Sequence, residues 1–192
     1  MIQTENFEKV EVASQAALRQ WLSNNHNQAE SVWLVTFKKE VADKYISTGQ
    51  VLDELLCFGW IDGIRRKLDD TRTMQLIAPR KTQHWTKTYK DRAQKLIDQD
   101  LMQPAGFASI EAGKQSGLWH FMDDVDALIL PKDLESALKA KPGAHEFFAE
   151  INPSSKRFVL RWLKLSKTTK TRLKRIDQLV TLSAKGEKLP GS

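Results

Sequence analysis

A chain of 192 residues that is 41% hydrophobic and 28% charged has room for one large domain or two small ones, and its six tryptophans exclude a disordered or low-complexity protein. The single cysteine, Cys57, excludes an intrachain disulfide, and the lack of any apolar run of about 18 residues excludes a transmembrane helix. The net charge of +6 is unevenly placed: from Asn152 onward 11 Lys/Arg meet only Asp177 and Glu187, a local +9, which leaves the preceding residues at −3. Such asymmetry points to a polyanion, an acidic partner or an anionic membrane surface. A solvated helical pair that aids solubility is the plainer alternative.

The N-terminal residues Met1-Ile2-Gln3-Thr4-Glu5-Asn6-Phe7-Glu8 show neither the basic nor the apolar region of a secretory signal. A cytoplasmic protein is the expectation.

In chain order, the first helix spans 14–24, with Ser14 as N-cap and Ala17, Leu18, Trp21 and Leu22 on one face. Residues 31–38 are a nearly continuous apolar strand. Thr48 or Gly49 opens a second helix with an apolar stripe of Val51, Leu52, Leu55, Leu56 and Phe58, and Gly59 breaks it. Residues 61–68 and 72–78 read as two strands joined by Asp69-Asp70-Thr71, and Pro79 stops the second. Helices follow at 87–101 and from Pro104 to near Gly117.

Residues from about 117 to 130 carry Asp123, Asp124 and Asp126 without a period, and read as a connector. Beyond Pro131 every segment reads as helix: 132–140, 142–150, 153–167 and 169–185. The predicted fold class is therefore α+β, with a small sheet of about three strands covered by helices over 1–117. An all-α basic module follows over 131–192.

Two constellations carry candidate chemistry. The first is Trp60, Asp62, Arg65, Arg80 and Trp85. A carboxylate between apolar residues needs compensation, so Asp62 is expected to meet Arg80 or Arg65. A guanidinium beside an indole can hold a carboxylate, a phosphate or a flat ring. The alternative is an Asp62–arginine pair that ties the helix–strand junction together, with Trp60 and Trp85 as core.

The second constellation is the basic face of the last two helices: Arg157, Arg161, Lys164, Arg172 and Arg175. These could form one positive surface for nucleic acid or anionic vesicles. No catalytic residue is assigned. His84 lacks a partner acid or nucleophile at motif spacing, and no histidine or cysteine spacing suits a metal, so neither metal nor cofactor is expected. Cys57 lies on the apolar side of its helix.

The runs Trp33-Leu34-Val35-Thr36-Phe37-Lys38-Lys39, Leu56-Cys57-Phe58-Gly59-Trp60-Ile61-Asp62-Gly63 and Pro79-Arg80-Lys81 with Trp85 resemble the bacterial YdeI/OmpD-associated family. So do Pro153-Ser154-Ser155-Lys156-Arg157, Arg161-Trp162, Ser166-Lys167 and Thr171-Arg172 through Gly186. The resemblance covers about Trp33 to Gly186. It departs at Thr86 and Tyr89, where the family usually has serine and asparagine, and at Ser166, where it usually has alanine.

The resemblance implies protection from bacteriocins or cationic peptides and a link to an outer-membrane porin. The leading expectation is a non-enzymatic stress or envelope-defence protein that binds an anionic small molecule or a protein partner. The alternatives are a protein binding nucleic acid weakly through its basic helices, and an enzyme with an Asp62/Arg80 cleft.

Overall fold

The computed structural model describes residues 6–192 and divides the chain into two compact units, one through His120 and one from Phe121 to Ser192. The first contains β1 (Lys9–Glu11), α1 (Gln15–Asn25), β2 (Val32–Phe37), α2 (Thr48–Cys57), β3 (Trp60–Lys67), β4 (Arg72–Pro79), α3 (Lys87–Asp98) and α4 (Pro104–Gln115). Its sheet has the order β1-β2-β4-β3, with β1 parallel to β2 and the other pairs antiparallel. The sheet therefore holds one strand more than the sequence suggested. β1 is three residues long with only Val10 buried, too short to show a period.

The local chemistry of each element is visible. Ser14 accepts from the Ala17 amide at 3.1 Å and starts α1. α2 starts at Thr48, the earlier of the two expected positions, because Ser47 and Gln50 form a reciprocal capping box. α3 ends at Asp98, not near Leu101, and Asp100 follows in the left-handed region at φ 55°. In the β3–β4 turn, Asp69 Oδ1 accepts from the Thr71 and Arg72 amides at 2.9 and 2.7 Å. The Arg72 side-chain hydrogen bond holds the Asp69 carboxyl down to about 2.

Alternation along the strands puts Val32, Leu34, Trp60 and Ile77 on one face. These pack with Leu18 and Leu22 of α1, Leu55 and Leu56 of α2, Ala93 and Leu96 of α3, and Ile110 of α4. Each fully buried leucine contributes roughly 1.5–3 kcal/mol of transfer free energy. Gly59, at φ 71°, ends α2 where α4 comes close: a Cβ there would lie 2.7 Å from the Ala105 carbonyl oxygen. Only glycine combines that backbone conformation with that approach.

The second unit is helical: α5 (Asp123–Asp126), α6 (Lys132–Lys139), α7 (Ala144–Glu150), α8 (Pro153–Lys164) and α9 (Thr169–Ala184). The stretch read as a connector supplies α5, a single turn too short to show a helical period. Met122 and Val125 are buried in this unit's core with Leu134, Leu138, Phe148, Leu160, Leu163, Ile176 and Leu179. Asn152 caps α8 by accepting from Ser155 N at 2.8 Å, with Pro153 at the first helical position. Thr168 caps α9. Among the described residues, no helix is long and apolar enough to cross a membrane.

Candidate functional site

The polar cluster around Asp62 lies where β3 leaves α2. Asp62 is half-buried, and its direct partners are not arginines. Tyr89 of α3 donates its hydroxyl to Oδ1 at 2.5 Å, and Gln75 of β4 donates its amide to Oδ2 at 3.2 Å. Arg65 takes the other end of that amide, donating to Gln75 Oε1 at 2.7 Å, and it also reaches Thr48 at 3.0 Å. The expected Asp62–Arg65 contact is thus relayed through Gln75.

Arg80 sits between rings instead. Its guanidinium carbon is 4.1 Å from the Trp85 centroid and 4.9 Å from that of Tyr89. Nη1 makes long contacts of 3.4 Å to the Gln83 and His84 carbonyls, while Nε and Nη2 are buried with no hydrogen-bond acceptor among the described residues. Burial pushes the guanidinium down to about 10, with Tyr89 and Asp62 pulling in the opposite direction. The aromatic faces supply the attraction that an acceptor would otherwise give.

Trp60 and Trp85 do not form a ligand-facing wall. Trp60 is fully buried, donates Nε1 to the His26 carbonyl at 3.0 Å and meets Trp21 edge-on. Trp85 is 2% exposed, packed against Trp119 with centroids 5.0 Å apart. A Cβ on Gly113 would come within 2.5 Å of the Trp85 indole nitrogen, so α4 lies against that ring. Of the five expected residues, Trp60, Asp62, Arg65 and Arg80 make their hydrogen bonds with neighbours outside the five, namely His26, Tyr89, Gln75, Thr48, Gln83 and His84, while Arg80 meets Trp85 through the ring face. The arrangement locks the junction between α2, the hairpin and α3.

Sequence reasoning missed a second buried charge in this unit. Glu54 is 4% exposed and binds Arg19 at 2.8 Å and Gln15 at 2.7 Å. Arg19 also donates to the Leu101 carbonyl at 2.8 Å and lies over Phe58. The signal available was a carboxylate flanked by the apolar Leu52, Leu55 and Leu56 on α2. Nearby, burial pushes the Cys57 thiol up despite a hydrogen bond from Arg19, which leaves it poorly reactive. Among the described residues, no group of three or more His, Cys, Asp or Glu is placed to hold a metal ion.

In the second unit the five expected polyanion-binding residues do not share one environment. Arg172 is held by Asp133 at 2.6 and 2.9 Å, and Lys164 by Asp124 at 2.5 Å. Both charges are thereby balanced inside the unit, because α5 and α6 supply the acids. Over residues 121–192, 14 Lys/Arg against 9 Asp/Glu leave a net +5. Arg157 and Arg161 are exposed on α8.

Arg175 turns to a different place. Its Nη1 donates to the Trp162 carbonyl and to Ser166 Oγ, and its guanidinium carbon stands 4.7 Å from the Trp162 ring centroid. Both side chains line a groove of about 390 Å³ with Lys170, Thr171, Lys174 and Gln178. No acid is among these lining residues. Lys170, Lys174 and Gln178 recur every four residues along one ridge of α9, a spacing visible in the sequence but passed over there. The expected single positive surface thus divides, and its concave part rests on two lysines that the sequence reading did not select.

Residues 10–109, more than half of the chain, match the family model described as a domain of unknown function, DUF8412. The chain belongs to the DUF8412 family. The Gly59-Trp60-Ile61-Asp62-Gly63 run and Arg80-Trp85 lie inside that match. Residues 127–186, within the helical unit, match the model described as Bacteriocin-protection, YdeI or OmpD-Associated. The YdeI-type match thus occupies the helical unit, whereas the sequence resemblance was drawn from about Trp33. No curated protein and no solved structure matches.

Proposed function

We propose that this is a non-enzymatic cytosolic defence protein whose helical unit binds an anionic partner in the α8–α9 groove. The observation that carries this reading is the acid-free groove of about 390 Å³ lined by Lys170, Lys174 and Arg175 beside Trp162. A concave cationic surface with no carboxylate among its described lining residues favours an anion from solution. The bacteriocin-protection, YdeI or OmpD-associated match of residues 127–186 supports placing the protein in bacterial stress or envelope defence. Cys57, buried as a free thiol, needs no oxidising compartment.

The Asp62 cluster supports a structural role in this reading. Its carboxylate is engaged by Tyr89 and Gln75, and its arginine is sandwiched between rings. No step is assigned to it.

The test is a titration of the full chain with inorganic polyphosphate at low ionic strength. Binding should weaken steeply as salt rises. Lys170→Glu with Lys174→Glu should abolish it, while Arg157→Glu on exposed α8 should leave most of it. Absence of binding by the wild-type chain, or equal loss with Arg157→Glu, contradicts the proposal.

A further inference from the structure

The groove differs from an ordinary basic patch in its back wall. Trp162 and Arg175 form a cation–π pair, with the guanidinium carbon over the ring at 4.7 Å from its centroid. Arg175 is fixed there by the Trp162 carbonyl and the Ser166 hydroxyl, so the wall is organised before any ligand arrives. Lys170 and Lys174 stand exposed one helical turn apart on the rim, with the exposed amide of Gln178 one turn further. Lys170 and Thr171 also lie in the first turn of the 16-residue α9, where the positive end of the helix dipole adds to the lysine charges.

A row of point charges with the spacing of a helix ridge, set before a flat cationic and aromatic wall, suits a ligand that repeats an anionic group and a flat ring. We infer that the groove binds single-stranded nucleic acid. Its phosphates lie along Lys170 and Lys174, a base stacks on the Trp162–Arg175 wall, and the Gln178 amide reaches a base edge or sugar. This rests on the anionic-partner reading above and adds to it the requirement for a base. A bare polyanion satisfies the lysines and leaves the wall unused. Duplex DNA holds its bases in the stack and must unpair and unstack one before it can reach the groove, which disfavours it against a single strand.

The experiment compares the full chain's affinity for a 15-nucleotide oligothymidylate with that for an abasic strand of equal length and charge. A duplex and phosphatidylglycerol vesicles serve as further probes. The thymidylate should bind at least tenfold tighter than the abasic strand. Trp162→Leu should remove that difference, while Trp162→Phe, which keeps a flat ring, should retain most of it. Because Trp162 is half-buried, circular dichroism must first show both variants folded. If the leucine variant does not fold, the wild-type comparison of base-bearing and abasic strands still decides. Equal binding of the two strands overturns the nucleic-acid inference and leaves the anionic-partner reading standing. Tight binding of vesicles without binding of the thymidylate also overturns it. Binding of no polyanion at all overturns both.

Discussion

The Tyr89 hydroxyl meets Asp62 at 2.5 Å across 27 residues of sequence, and the same ring lies 4.9 Å from the guanidinium carbon of Arg80. One side chain thus serves an acid with its oxygen and a base with its π face. Tyr89→Phe separates these roles by keeping the ring and removing the donor. Asp62 would then keep only the Gln75 amide. The variant is expected to lose about 1–2 kcal/mol in urea unfolding. A loss within about 0.3 kcal/mol would mean that the hydrogen bond contributes nothing net over the one its partners make to water.

The Glu54–Arg19 pair should be asymmetric. The Glu54 side chain is 5% exposed and the Arg19 side chain 31%. Arg19→Ala strands the carboxylate with Gln15 as its remaining partner and is expected to cost about 3 kcal/mol. Glu54→Gln leaves an arginine that can still reach water, and about half that cost is expected. Chemical denaturation of both variants checks the order. The reverse order would contradict the burial argument.

Two glycines share a backbone conformation and differ in surroundings. Gly59 and Gly117 have φ of 71° and 76°, but a Cβ meets a carbonyl oxygen at 2.7 Å in the first and nothing within 4 Å in the second. Gly117→Ala is expected to cost about 1–2 kcal/mol from backbone strain alone. Gly59→Ala adds a backbone clash and should exceed about 3 kcal/mol. Equal melting-temperature shifts would show that α4 moves aside freely.

The helical unit should be acid-sensitive through Asp133. The Arg172 guanidinium holds this carboxyl below its ordinary value. A carboxylate with a depressed folded value contributes stability above its unfolded value, and that contribution disappears as pH falls through the folded one. Melting temperature should therefore drop below about pH 4, and Asp133→Asn should flatten part of that drop. The pair is half-exposed, so the effect at pH 7 is about 0.5–1 kcal/mol. An unchanged acid limb in Asp133→Asn would contradict the assignment.

Periodicity made most of the architecture legible. The stripes Leu18–Leu22 and Val51–Leu55–Leu56, and the apolar run Val32–Phe37, became the core because burial dictates their spacing. β1 and α5 stayed hidden because three or four residues cannot display a period. At the candidate sites, the residue types were readable and the pairings were not. Tyr89 stood out only as a departure from the resembled pattern, yet it is the side chain that engages Asp62. Arg19 lies 35 residues from Glu54, and Asp133 lies 39 from Arg172. Such partners meet only through tertiary packing, so a segment with a local +9 could look freely basic while acids from α5 and α6 balanced part of it.

The most direct test follows the six tryptophan indole N–H signals by NMR as the full chain is titrated with oligothymidylate at low salt. The account predicts that the Trp162 signal shifts in step with binding, while the signals of the buried Trp60 and Trp85 stay in place. Shifts at Trp60 or Trp85 with Trp162 unmoved would contradict it, by placing the ligand at the Asp62 cluster instead of the α8–α9 groove.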